Sequence, residues 1–116
     1  MTNNVWGMGE DMAVQALREA GYSIRDRNFH CRWGELDIVA CRGREMVFVE
    51  VKTRTSSEFG QPHESVTSAK RERIKKAARF YVAQQKEEDF TYRFDVICVS
   101  FDRGRWHWQW YKDAFI

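Results

Sequence analysis

The chain has 116 residues, 43% of them hydrophobic, and a formal net charge of only +2. That length suits one compact domain over residues 1–116, and so small a net charge means that any attraction to nucleic acid must come from local patches. No apolar run approaches the ~18 residues of a membrane span, and the start, MTNNVWGMGED, has neither the basic nor the apolar region of a signal peptide. Cys31, Cys41 and Cys98 are odd in number and widely spaced. They fit neither a disulfide framework nor a zinc site, and point to a reduced, cytoplasmic setting with no membrane partner.

In chain order, Met8–Ala20 carries Met8, Met12, Ala13, Ala16, Leu17 and Ala20 on one helical face, and Gly21 is placed to end the helix. Glu10 falls at the edge of that face, where an acid in the first turn is favourable in any helix. Tyr22–Asn28 reads as a strand, followed by a loop over Asn28–Trp33. Arg27, Arg32 and Trp33 suit phosphate contact and base stacking. Packing of Trp33 beneath its own loop is the equal alternative.

The stretch Gly34–Arg54 is a hairpin. Leu36, Ile38 and Ala40 alternate with Glu35, Asp37 and Val39, and Val47, Val49 and Val51 with Phe48, Glu50 and Lys52. A Gly43-Arg44 loop suits a type II′ turn, because glycine comes first. That turn sets Asp37 opposite Glu50 and Glu35 opposite Lys52, all four on one face. An Arg42-Gly43 loop would shift the register but keep the face. Carboxylates this close repel unless positive charge lies between them. Lys52 supplies some. A divalent cation supplies more, because Mg²⁺ favours a few carboxylates, water and phosphate, and the Val51 carbonyl adds a neutral oxygen. A salt-bridge ladder on a solvated face is the other reading of the same spacing.

Residues 53–64, with Gly60 and the lone Pro62, read as a loop bordering this face. Thr53 and Arg54 stand where a phosphate would be held, and His63 is a candidate general base or merely a solvated side chain. Ser65–Gln85 follows a helical pattern. At 100° per residue, Lys70 falls inside the stripe of Val66, Ile74, Ala77 and Tyr81. A cation there needs a partner, and the hairpin carboxylates are at hand. Lys75, Lys76 and Arg79 fall on the far, solvated face. Tyr92–Phe101 is a strand in which Asp95 pairs with Arg93 or another base. After the Arg103-Gly104 turn, Arg105–Tyr111 puts Trp106, Trp108 and Trp110 on one face, suited to the core or to contact with a second copy in a homodimer, with a base-stacking platform as the alternative.

Asp37…Glu50-Val51-Lys52 resembles the Asp…Glu-x-Lys core of the PD-(D/E)XK nuclease superfamily, which includes restriction endonucleases and archaeal Holliday-junction resolvases. Over nearly its whole length the chain resembles the YraN family of small bacterial proteins. The matching residues are Gly9-Glu10, Gly21-Tyr22, Arg27-Asn28, Gly34-Glu35-x-Asp37, Phe48-Val49-Glu50-Val51-Lys52-Thr53-Arg54 and Arg93-Phe94-Asp95. The resemblance implies an α/β fold: a restriction-endonuclease-like α/β/α sandwich around a mixed five-stranded sheet. It further implies metal-dependent hydrolysis of phosphodiester bonds in DNA, branched DNA included, or structured RNA. In that reading Asp37, Glu50 and Lys52 are catalytic. Mg²⁺ or Mn²⁺ is held by Asp37, Glu50, the Val51 carbonyl and Glu10, with Glu35 and Lys70 in support. Arg54, Thr53, Arg27 and Arg32 meet the DNA or RNA. A fold outlives its chemistry, however, so a non-catalytic nucleic-acid module and a partner-binding scaffold remain rival expectations.

Overall fold

The computed structural model describes residues 5–55, 67–85 and 89–115. The expected loop beyond Thr55, with Pro62 and His63, lies outside them. Helix α1 is Val5–Glu19, followed by strands β1 (Ser23–Cys31), β2 (Gly34–Arg42) and β3 (Glu45–Thr55), helix α2 (Ser68–Gln84) and strands β4 (Thr91–Asp102) and β5 (Arg105–Tyr111). Helix α1 ends as its sequence dictates. Gly21 takes φ +91°, its N–H donates to Arg18 O, and the Tyr22 N–H donates to Leu17 O. Those two bonds form a Schellman cap, with Leu17 and Tyr22 both in the core beneath it. Helix α2 starts later than its pattern suggests because Thr67 caps it, its hydroxyl accepting the Lys70 N–H at 3.2 Å.

The five strands form one sheet in the order β1-β2-β3-β4-β5. Only β3 and β4 are parallel, joined through α2; the other pairs are antiparallel. One helix covers each face. Ala13, Val14 and Leu17 of α1 pack on Ile38, Ala40, Val47, Val49, Ile97 and Val99. Ile74, Ala77, Ala78 and Tyr81 of α2 pack on Leu36, Val39, Met46, Phe48 and Val96. This is the α/β sandwich of the restriction-endonuclease-like fold. Neither described helix is long and apolar enough to cross a membrane.

Two details position the site. Gly43 takes φ +59° and Arg44 keeps a negative φ, as a type II′ turn requires, and the register follows, with Cys41 opposite Met46 and Ile38 opposite Val49. The paired stretch of β2 and β3 stops there, at the level of the acids. The second detail corrects the expected alternation. Strand β1 runs on to Cys31, and Arg32-Trp33 is a tight turn rather than the end of a six-residue loop. Asn28 sits in the left-handed region at φ +54°, a conformation asparagine tolerates. Beyond it the pleat changes sides. Ile38 and Ala40 face α1, whereas Leu36, opposite Phe29, turns towards α2. Asp37 lies at that switch.

Candidate functional site

Asp37, Glu50 and Lys70 line one depression of about 310 Å³, together with Gly34, Glu35, Arg73 and Ile74. Glu50 is on the β3 face that carries Met46 and Phe48 against α2, and it is only 7% exposed. Asp37 arrives from β2, just past the last rung shared with β3. Its Oδ2 accepts the Val51 N–H at 2.8 Å. A carboxylate thus occupies the place where the ladder would have continued, and ties the parting strands together.

The two acids are electrostatically linked. Burial first, and the Glu50 charge second, push the Asp37 carboxyl up to about 7; a hydrogen bond with Glu50 adds to the rise, against the opposing pull of the Val51 N–H. Asp37 therefore takes up a proton far more readily than an ordinary carboxyl, as one of two close carboxylates does.

Two lysines complete the site. Lys70 Nζ lies 2.8 Å from Glu50 Oε1, and Lys52 Nζ lies 3.8 Å from the same oxygen. Burial, then Lys70, lowers the Lys52 pKa. For Lys70 burial is also the largest influence and acts downward. The hydrogen bonds to Glu50 and Lys52 and the charges of Glu50 and Asp37 outweigh it, so its pKa rises. The pair is thus differentiated: Lys70 holds its charge more firmly, and Lys52 gives up a proton more readily.

Other expected site residues stand elsewhere. Glu10 is not in the depression. Its Oε1 accepts from Arg27 Nε and Asn28 Nδ2, both at 3.0 Å, although its charge still contributes to the rise at Asp37. Among the described residues no three His, Cys, Asp or Glu side chains gather as metal ligands, so the acids that meet are two. Arg27 is spoken for by Glu10 and by Asp11, at 2.8 Å, and is no open phosphate ligand. Glu35 borders the depression but meets His30 at 3.4 Å rather than Lys52, because β2 has left β3 by then. Thr53 shares the α1 side of β3 with Val49 and Val51. A Cβ on Gly9 would lie 2.3 Å from its hydroxyl, so Thr53 is the seat of α1 rather than part of the depression. Arg54 is half-buried next to Tyr111. Arg32 lies over the Trp33 ring, 4.7 Å from its centroid.

Asp95 and Arg93 form the centre of a second polar cluster, which sequence spacing anticipated only as an Asp95–Arg93 pair. Asp95 is fully buried. It accepts two bonds from Arg93, one from Trp110 Nε1 and one from the Asp113 N–H, all at 2.8–2.9 Å. Arg93 extends the cluster to Tyr22 and Glu45, which are also bonded to each other. Every lone-pair direction of a buried acid is thereby used, which marks a structural lock. Tyr22 and Glu45 gave no sequence signal of their pairing, lying 23 residues apart, one just before β1 and the other at the start of β3.

Residues 9–99 match the uncharacterised protein family UPF0102. The chain belongs to that family. A UPF0102 protein of Geobacter metallireducens is 52% identical over 93 residues, covering 80% of this chain and 76% of that protein. One from Clostridium perfringens is 44% identical over 109 residues, covering 92% and 89%. A third, from Caldicellulosiruptor saccharolyticus, is 48% identical over 91 residues, covering 78% and 77%. The UPF0102 match takes in the acid-lined depression, Gly9 on the Thr53 seat and the buried Asp95 with Arg93, but not Trp110 or Asp113.

Proposed function

We propose that the chain is a divalent-metal-dependent phosphodiesterase acting on DNA or structured RNA. One observation carries this reading: the half-buried Asp37 and the buried Glu50 line one depression with Lys70, whose Nζ lies 2.8 Å from Glu50 Oε1, and Lys52 Nζ lies 3.8 Å from the same oxygen. A carboxyl whose charge is disfavoured by burial and by a neighbouring carboxylate is one that a cation suits. With only two carboxylates and the Val51 carbonyl, the donor set fits Mg²⁺ or Mn²⁺, which keep water and substrate phosphate as further ligands. When bound, such an ion polarises the phosphate and makes a water molecule more acidic.

The chain's own residues supply the rest. Asp37 and Glu50 would hold the cation, with Asp37 in its ionised form. Lys52, the amine that loses its proton more readily, takes one from the attacking water. The water oxygen bonds to phosphorus as one ester P–O bond breaks, and the departing oxygen takes a proton from solvent. Lys70, whose charge is held firmly by Glu50, faces the negative charge that grows on the phosphate. Titration calorimetry with Mn²⁺ tests the acids directly. Binding should weaken at least tenfold in Asp37→Asn and in Glu50→Gln, and unchanged binding in both would remove them as ligands.

A further inference from the structure

We propose that the turn at Arg32-Trp33 and the adjoining face of α2 form a track for an unpaired strand, with Trp33 stacking on a base beside the phosphate at Asp37 and Glu50. The inference rests on the phosphodiesterase reading for what lies at the end of the track, but not for the track itself.

Trp33 is 41% exposed, a large apolar ring kept in solvent at the tip of a two-residue turn. It is attended by cations: Arg32 lies 4.7 Å and Lys76 Nζ 5.8 Å from the ring centroid. A second depression, of about 390 Å³, is lined by Trp33, Lys76, Arg79 and Phe80. It adjoins the acid-lined one. Gly34, next to Trp33, sits against the Arg73 backbone, and Gly34 and Arg73 both line the acidic depression. Arg73 and Lys76 are one helical turn apart, about 4.5 Å along the axis. The turn is thus a ridge with the acids on one side and the tryptophan on the other.

Composition sets the ligand's charge. Helix α2 carries six basic residues and a single acid, Glu72. Among the described residues, Arg32, Arg73 and Lys76 form no ion pair, so their charge is directed to solvent. A basic groove with an exposed aromatic ring is the arrangement that binds single strands. Stacking a base on an aromatic ring is worth roughly five- to a hundredfold in affinity, more than the few-fold of an exposed cation–ring contact. A base therefore displaces the cations from the ring, and they turn to the phosphates. Duplex DNA keeps its bases stacked inside and offers Trp33 no face, so the ligand class is an unpaired strand or a splayed end.

The test uses Glu50→Gln protein without added metal, so that binding is read apart from cleavage. Fluorescence anisotropy compares a short labelled single strand with a blunt duplex. Adding Trp33→Ala should weaken single-strand binding about tenfold and duplex binding less than about twofold, and Trp33→Phe should retain most of the affinity. Lys76→Ala should reduce the single-strand salt slope by about 0.7. Should Trp33→Ala fail to fold, the Phe variant and the Lys76 slope still decide. Equal losses on both ligands, a Phe variant as weak as the Ala variant, or no single-strand binding at low salt would overturn the track. Mn²⁺-dependent duplex cleavage would survive that failure, and single-strand binding without cleavage would sink only the phosphodiesterase reading.

Discussion

Lys70 and Glu50 join α2 to the acidic end of β3 through a 2.8 Å ion pair. Glu50 is nearly buried, while the Lys70 side chain is about one-third exposed, so the pair is only partly desolvated. Lys70→Met should cost about 1–2 kcal/mol in urea unfolding, less than the loss of a fully buried pair because solvent and Lys52 still attend Glu50. A cost near zero would mean that Lys70 is a surface charge with no hold on the site.

Asp37 makes stability fall with rising pH. Its carboxyl is raised from 3.8 to about 7. Between those values the folded chain keeps a proton that the unfolded chain releases, so stability is lost as pH climbs through that window. Asp37→Asn removes this penalty. Thermal unfolding should show the variant more stable than the parent at pH 8, by roughly 2 kcal/mol after allowance for solvent screening, and little different near pH 4. A difference independent of pH would contradict the assigned titration.

Much of this site could be read from residue order, because its determinants are local. Gly43 selects the turn, the turn sets the register, and the register brings Asp37 to Glu50. The Lys70 pairing followed from the cost of a cation in an apolar stripe. What escaped depends on non-local packing. Leu36 lies on the other side of the sheet from Ile38, at the level where Asn28 takes a left-handed conformation. Arg27 was expected at phosphate but neutralises Glu10 and Asp11, and nothing in strand spacing says which acids a helix will present. Thr53 was expected beside a phosphate, but the pleat turns it towards α1.

The Gly9–Thr53 contact explains a helix-interior glycine that propensity disfavours. A Cβ at Gly9 would meet the Thr53 hydroxyl at 2.3 Å and its Cγ2 at 3.1 Å. Gly9→Ala should therefore destabilise by about 1–3 kcal/mol. In a Thr53→Ala background the same change should be neutral or stabilising, since alanine is the better helix former by about 1 kcal/mol. A double-mutant cycle in urea checks this; simple additivity would mean that α1 does not rest on Thr53.

The Asp95 cluster should behave as scaffold. All its partners are donors, so Asp95→Asn turns an amide N–H₂ towards them and removes the charge facing Arg93. A loss of about 3 kcal/mol or more is expected. Tyr22→Phe, which removes one hydroxyl from the edge of the cluster, should cost about 1 kcal/mol. Stability within about 1 kcal/mol of the parent for Asp95→Asn would contradict the lock.

The most direct test of the proposed activity is Mn²⁺-dependent cleavage of a labelled panel of linear, branched and single-stranded DNA and structured RNA, by parent and Glu50→Gln proteins purified in parallel. The parent should cut at least one substrate only when Mn²⁺ is present, and Glu50→Gln should lose at least a hundredfold of that rate while still binding the substrate. Equal cleavage by both proteins, or none by the parent on any substrate, would contradict the account.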